Sequence, residues 1–300
     1  MQLPNRIRIR IADLTIALES TDPTLPLQMG ETTARFRVAD TKPDVCIRAS
    51  WKELPAEQHD ELMFDSGGLW QLYNNEGSPY FRFASPVFGA APYKAARFSP
   101  DFAVGDIWLR PGCFASGAAV APLEYPLDEL LMLHLLAQGR GMEVHACGVI
   151  DAQGRGHVFI GQSGAGKTTL ARLWEATTGV TILSDDRIIL RYLDDRFWMY
   201  GTPWHGEAGL ACAARAPLTH IVFLRHASHN ALIPQRPSEA ISRLLACSFP
   251  PFYSPDALAF TMQFCAELVD AVPCDEFAFL PDPSALSYLQ RQLTMPHGLK

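Results

Sequence analysis

Apolar and polar residues alternate strictly through Arg6-Ile7-Arg8-Ile9-Arg10-Ile11, isoleucine to one side and arginine to the other. Successive side chains of a strand point to opposite faces, so this stretch and the "ADLTIAL" after it predict a half-buried strand. "GLWQLYNNEGSPYFRFAS" predicts a hairpin turning at Asn74-Asn75-Glu76-Gly77, and "FAVGDIWLRP" a further short strand. "PGCFASGAAVAP" keeps neither the period of a strand nor that of a helix and reads as a connector. The pattern therefore predicts a mainly-β amino-terminal domain over residues 1–122, of unknown role, with substrate binding and oligomerisation as candidates.

The period changes near residue 126. "PLDELLMLHLLAQGRG" predicts a helix, with Pro126 near its start, Asp128 and Glu129 in its first turn, and Gly139 past its end. "MEVHACGVID" and "HVFIG" predict two strands joined by a tight turn, and "TTLARLWEATTG" a helix ending at Gly179. "VTILSDD" is a strand finishing on two carboxylates, and "RIILRYL" and "RFWMYG" form a hairpin around Asp194-Asp195. "THIVFLR", two helices ("PSEAISRLLAC" and "PDALAFTMQFCAELVDAV"), the strand "DEFAFLP" and the helix "PSALSYLQRQL" complete the chain. Strand, loop, helix and strand in that order predict an α/β nucleotide-binding domain over residues 123–300, with the extra hairpins making its sheet mixed.

The loop inside that order carries the chemistry. Gly161-Gln162-Ser163-Gly164-Ala165-Gly166-Lys167-Thr168, followed by Thr169, fits the Walker A pattern. Glycines are needed there because backbone N–H groups must face an anion at close range. Lys167 would reach the β- and γ-phosphates of a nucleotide, and the Thr168 hydroxyl would ligate Mg²⁺. Asp185 and Asp186 fall at the end of the next strand, where an α/β sheet presents ligands to its crevice. One carboxylate there can hold Mg²⁺ and the other can accept a proton. His145 sits in an otherwise apolar strand. "GTPWHGE" is too polar for a core element, and its His205 and Glu207 are candidates for a place near metal or phosphate. Asp194-Asp195, at a hairpin tip, reads as a turn.

Composition narrows the setting. The 300 residues are 48% hydrophobic with a net charge of −7 and no basic run, which excludes nucleic acid as the expected partner. The amino terminus lacks the apolar stretch of a signal peptide, and no run of about eighteen apolar residues predicts a membrane span. Seven cysteines, none in a C-x-x-C pair, predict reduced thiols in a cytoplasmic protein.

His145 in "VHACGVID", then "GQSGAGKTT", then "LSDD", resembles the catalytic domain of HPr kinase/phosphorylase, whose fold is shared with phosphoenolpyruvate carboxykinase. "GTPWHGE" and "VPCDEFAFLPDPSAL" resemble HPr-kinase-related bacterial proteins, including kinases of lasso-peptide precursors. The resemblance covers about residues 123 to 292. It implies an ATP- and Mg²⁺-dependent kinase transferring the γ-phosphoryl group to a serine-type hydroxyl of a peptide or small protein. A small-molecule hydroxyl kinase and a nucleotide-binding module without phosphotransfer are the alternatives. It also implies Asp185 as base, Asp186 as Mg²⁺ ligand, His145 beside the transferring phosphate and Glu207 as a second carboxylate near the metal. A homo-oligomer is open, since HPr-type enzymes form hexamers. Two departures stand out: the loop ends Lys167-Thr168-Thr169 rather than Lys-Ser-acidic, and the Glu-Val-Arg-Gly-Leu-Gly signature is missing. Both point away from HPr as the acceptor.

Overall fold

The computed structural model describes residues 5–55, 60–89 and 91–293. The chain divides into two units, Met1–Leu135 and Leu136–Lys300, each built around its own eight-stranded sheet. The protein is mixed α/β.

The first unit holds β1 (Arg6–Ile11), β2 (Leu14–Ser20), β3 (Val45–Trp51), β4 (Glu61–Asp65), β5 (Trp70–Asn75), β6 (Ser78–Phe83), β7 (Lys94–Phe98) and β8 (Val104–Leu109), with a one-turn helix α1 (Glu31–Ala34). Their order in the sheet is β1-β2-β3-β8-β7-β6-β5-β4. Ile7, Ile9 and Ile11 are buried as the alternation requires. The single strand read through "RIRIRIADLTIAL" is instead a hairpin: Ala12 (φ 49°) and Asp13 (φ 60°) are both left-handed, and β1 folds back on β2. A two-residue loop with both φ positive matches the twist of the strands it joins, and normally advertises itself with Gly or Asn. Neither is present here, which is why the pattern hid it. The hairpin read at 70–83 forms as β5 and β6, with Glu76 and Gly77 at φ 50° and 82°. The helix α2 (Leu127–Ala137) spans the division between the units, and its His134 ring stacks on Phe102 at 4.6 Å within the first.

The second unit holds β9 (Met142–Ile150), β10 (Gly156–Ile160), α3 (Lys167–Glu175), β11 (Thr181–Ser184), β12 (Arg187–Leu193), β13 (Arg196–Gly201), β14 (Arg215–His226), β15 (Ala231–Pro234), α4 (Pro237–Ala246), α5 (Pro255–Ala271), β16 (Cys274–Phe279) and α6 (Pro283–Leu293). Its sheet runs β10-β9-β12-β13-β14-β16-β15, and β10 also pairs with β14, so five strands close on one another. Helix α3 ends at Glu175, short of the Gly179 expected.

"HVFI" and "IVFL" are continuous apolar runs because both faces of their strands are covered. Val158, Ile160, Ile221 and Phe223 pack with Ala240 and Leu244 of α4 and Phe264 and Leu268 of α5. Phe159, Val222 and Leu224 face the other way, onto Leu170 and Trp174 of α3 and Ala285 and Leu289 of α6. Truncating one such ring, Phe159 to alanine, would cost about 3–5 kcal/mol. β10, β14 and β16 run parallel, and β11 and β10 both lie antiparallel to β9. Four carboxyl ends therefore gather on one edge of the sheet, where open α/β sheets bind ligands.

Candidate functional site

The loop of residues 161–166 emerges from fully buried β10 and feeds α3. Gly166 (φ 97°) is the residue before the helix; a Cβ there would stand 2.6 Å from Phe279 Cζ. Gly164 (φ 82°) is likewise left-handed but opens to space. No side chain caps α3 and no acid stands in its first turn, so its leading N–H groups carry the positive end of the helix dipole unopposed. The Lys167 side chain is buried and folds back, its Nζ donating to Gly161 O (2.8 Å) and Gln162 O (3.3 Å). Burial lowers its pKa, and Asp186 acts against that.

Across the loop, His226 at the end of β14 donates from Nε2 to Gly164 O (3.0 Å) and stacks on Phe279 at 5.3 Å. A pocket of about 370 Å³ opens beside Gly161–Ala165, bounded by Phe223, Arg243 and Cys247. Arg243 is held there by Glu276 (2.8 Å) and lies 4.6 Å over the Phe223 ring. Gln162, Ser163 and Thr169 are exposed, and Ala165 and Thr168 are half-buried.

The two adjacent aspartates meet different surroundings. Asp185 is 1% exposed, and its Oδ1 and Oδ2 accept the backbone N–H groups of Gly206 (3.0 Å) and Ala208 (2.9 Å). Asp186 is half-buried; its Oδ1 lies 2.9 Å from His145 Nε2 and its Oδ2 2.5 Å from an Arg187 guanidinium nitrogen. Burial alone would raise the Asp186 pKa, but the hydrogen bond from His145 and the charges of Arg187, His145 and Lys167 outweigh it and hold the carboxyl below its ordinary value. Arg187 also reaches Glu143 (3.4 Å) and lies 4.2 Å over the Phe249 ring. Ser184 ties this turn to the following loop by donating to Trp204 O (3.1 Å) while accepting from the N–H groups of Asp186 and Arg187.

The fold thus brings Lys167, His145 and Asp186 into one electrostatic neighbourhood. It puts Asp185 under the loop of residues 202–208 rather than in the open. Glu207 is exposed on that loop and makes no hydrogen bond or ion pair to Thr168 or Asp186, and His205 donates only to its neighbour Gly206 O (2.9 Å). Among the described residues no group of three or more His, Cys, Asp or Glu side chains could hold a metal. Mg²⁺ does not need one, because it keeps several waters and is bound by one or two carboxylates plus substrate phosphates. Thr168 and Asp186 are oxygen donors of that type, with the Asp186 oxygens turned to His145 and Arg187. Arg187, Arg243 and His226 went unread in the sequence. Arg187 follows the two aspartates directly and carried a signal; Arg243 arrives from α4 and His226 from β14, and neither did.

No protein-family model matches the chain, and no curated protein matches it. Among solved structures it is similar to the HPr(Ser) kinase/phosphatase from Coxiella burnetii, with 12% identity over 50% of this chain and 89% of that one, at a TM-score of 0.29. An overlap of that size leaves the chemistry to the residues themselves. Among the described residues no helix is long and apolar enough to cross a membrane.

Proposed function

We propose that the chain is a phosphotransferase that binds ATP with Mg²⁺ at the loop of residues 161–168 and moves the γ-phosphoryl group to a hydroxyl, a serine of a peptide or small protein. The observation carrying this reading is the loop itself: a left-handed Gly164 and Gly166, an uncapped helix start, and a buried Lys167 directly after them. The sequence resemblance to the HPr kinase type, with its carboxykinase-like fold, supports the same reading.

Lys167 exchanges its two carbonyl partners for phosphate oxygens, a stronger charge-assisted contact. The loop N–H groups and the start of α3 hold the rest of the triphosphate and place the γ-phosphorus. Thr168 and Asp186 are the residues that would hold Mg²⁺, which when bound draws charge from the β–γ bridge. His145, by donating to Asp186, fixes the direction of that carboxylate.

The base was expected at Asp185. Both its oxygens already accept backbone N–H groups in a nearly sealed position, so we assign Asp185 to holding the 202–208 loop and the proton to His145. A histidine whose Nε2 donates to a carboxylate keeps Nδ1 as an acceptor, the arrangement a general base requires.

Incubation with γ-labelled ATP and a pool of serine-containing peptides, with free serine and small alcohols alongside, tests this. Label transferred to a peptide hydroxyl supports the reading. Label found only on small alcohols moves the chain to a small-molecule kinase, and tight ATP binding with no transfer makes it a regulatory module.

A further inference from the structure

The pocket beside the phosphate loop has a wall that the transfer step above does not use. Its volume of about 370 Å³ falls within the roughly 300–1,000 Å³ of ligand-binding pockets. Gly161–Ala165 line it from the loop, and Arg243, Ala246 and Cys247 line it from the end of α4. Among the described residues around it, Arg243 is the only one that carries a charge.

That charge is not spent on an ion pair. Arg243 makes its hydrogen bonds to Glu276 (2.8 Å) and Gln235 (3.3 Å) from Nη1 alone, so the N–H groups of Nε and Nη2 remain for a ligand. Glu276 is shared, because its other carboxylate oxygen accepts from Arg225 Nε at 2.6 Å. Two guanidiniums against one carboxylate leave a net charge of +1 at this corner. The Phe223 ring, 4.6 Å away, covers one face of the Arg243 guanidinium, and the side chain is 32% exposed. A planar guanidinium edge matches the two oxygens of a carboxylate.

The same wall is joined to the proposed base. Cys247 O accepts the backbone N–H of His145 (2.7 Å), and Ser248 bridges to Val144 beside it. An acceptor whose hydroxyl reaches His145 therefore has the end of α4 next to it. Building on the phosphotransferase reading above, we propose that this pocket takes a carboxylate of the acceptor, held by Arg243, so that the substrate is a serine with an acidic residue close to it in sequence. The nucleotide is the poorer occupant, since Lys167 and Thr168, which take the triphosphate and metal in that reading, do not line the pocket.

The test uses the full chain and serine peptides with one glutamate next to the serine or one residue further along, each matched to the same peptide with glutamine. Calorimetry reads peptide binding without nucleotide, and γ-labelled ATP reads transfer. The wild type is expected to bind and phosphorylate a glutamate peptide about 10- to 100-fold better than its match, the worth of a charge-assisted hydrogen bond. Arg243→Gln is expected to erase that preference while the ATP dissociation constant stays within about threefold of wild type. Ala246→Glu puts a carboxylate at an exposed position of the same wall; it is expected to erase the preference too, and it serves if Arg243→Gln fails to fold. A glutamate preference in binding that depends on Arg243, with no transfer to any peptide, supports the carboxylate subsite and overturns only the phosphotransferase reading. Equal treatment of glutamate and glutamine peptides by the wild type overturns the proposal. So does a preference retained in folded Arg243→Gln, or a larger loss of ATP affinity in that variant, which would assign Arg243 to the nucleotide.

Discussion

His145 Nε2 lies 2.9 Å from Asp186 Oδ1, while Asp185, one position earlier, gives both its oxygens to the backbone N–H groups of Gly206 and Ala208. Two neighbouring carboxylates thereby meet different partners. Both follow the end of β11 in the turn before β12, and there Asp186 meets His145 and Arg187 while Asp185 meets the loop of residues 202–208.

This separation is measurable in transfer rates. His145→Gln keeps a hydrogen bond to Asp186 but has no basic nitrogen, so phosphoryl transfer is expected to fall by about 10²- to 10⁴-fold with the ATP dissociation constant within a few-fold of wild type. Asp185→Asn is expected to act through the loop and to speed amide exchange at Gly206 and Ala208. A His145→Gln variant transferring within about tenfold of wild type, with Asp185→Asn inactive on an intact loop, would return the base to Asp185.

Asp186→Asn separates metal from nucleotide. The amide keeps the shape but lacks the charge that Mg²⁺ demands. Calorimetry is expected to show a much larger loss for Mg²⁺–ATP than for metal-free ATP. Equal losses would remove Asp186 from the metal.

How much of this was legible from residues alone depends on how local each signal is. The phosphate loop is a contiguous pattern flanked by its own strand and helix, and β9 through α3 followed from period and turn residues. The β1–β2 hairpin escaped because Ala12 and Asp13 adopt left-handed angles without the residues that usually mark them. β15 escaped because "ALIP" is too short for a period and is a strand only through its pairing with β16. The different hydrogen-bond partners of Asp185 and Asp186 could not be read from the sequence for a related reason. The groups that distinguish them, Gly206, Ala208 and His145, lie about twenty or more residues away and meet them only in the fold.

The first unit should lose stability in mild acid. His134 donates from Nδ1 to Leu130 O (2.7 Å) and stacks on Phe102, and burial lowers its pKa to about 4. The unfolded chain, with a pKa near 6.5, takes up the proton first, so stability is full above about pH 6.5 and declines as the pH falls toward 4. The loss is about 1–3 kcal/mol, read as a drop in the thermal midpoint. His134→Phe is expected to flatten that slope. A midpoint with the same pH dependence in both proteins would show that another group drives it.

If residues 161–168 grip a nucleotide's phosphates through Lys167, calorimetric titration of ATP into the wild-type chain and into Lys167→Ala reads that grip, with circular dichroism confirming that both are folded. The ammonium is the one full positive charge within the loop, and a charge-assisted hydrogen bond is worth about 1.5–3 kcal/mol. Saturable binding to the wild type is expected, with affinity about 10- to 100-fold weaker in the variant. No binding to the wild type, or an affinity for Lys167→Ala within about threefold of it, would show that Lys167 does not hold a nucleotide's phosphates.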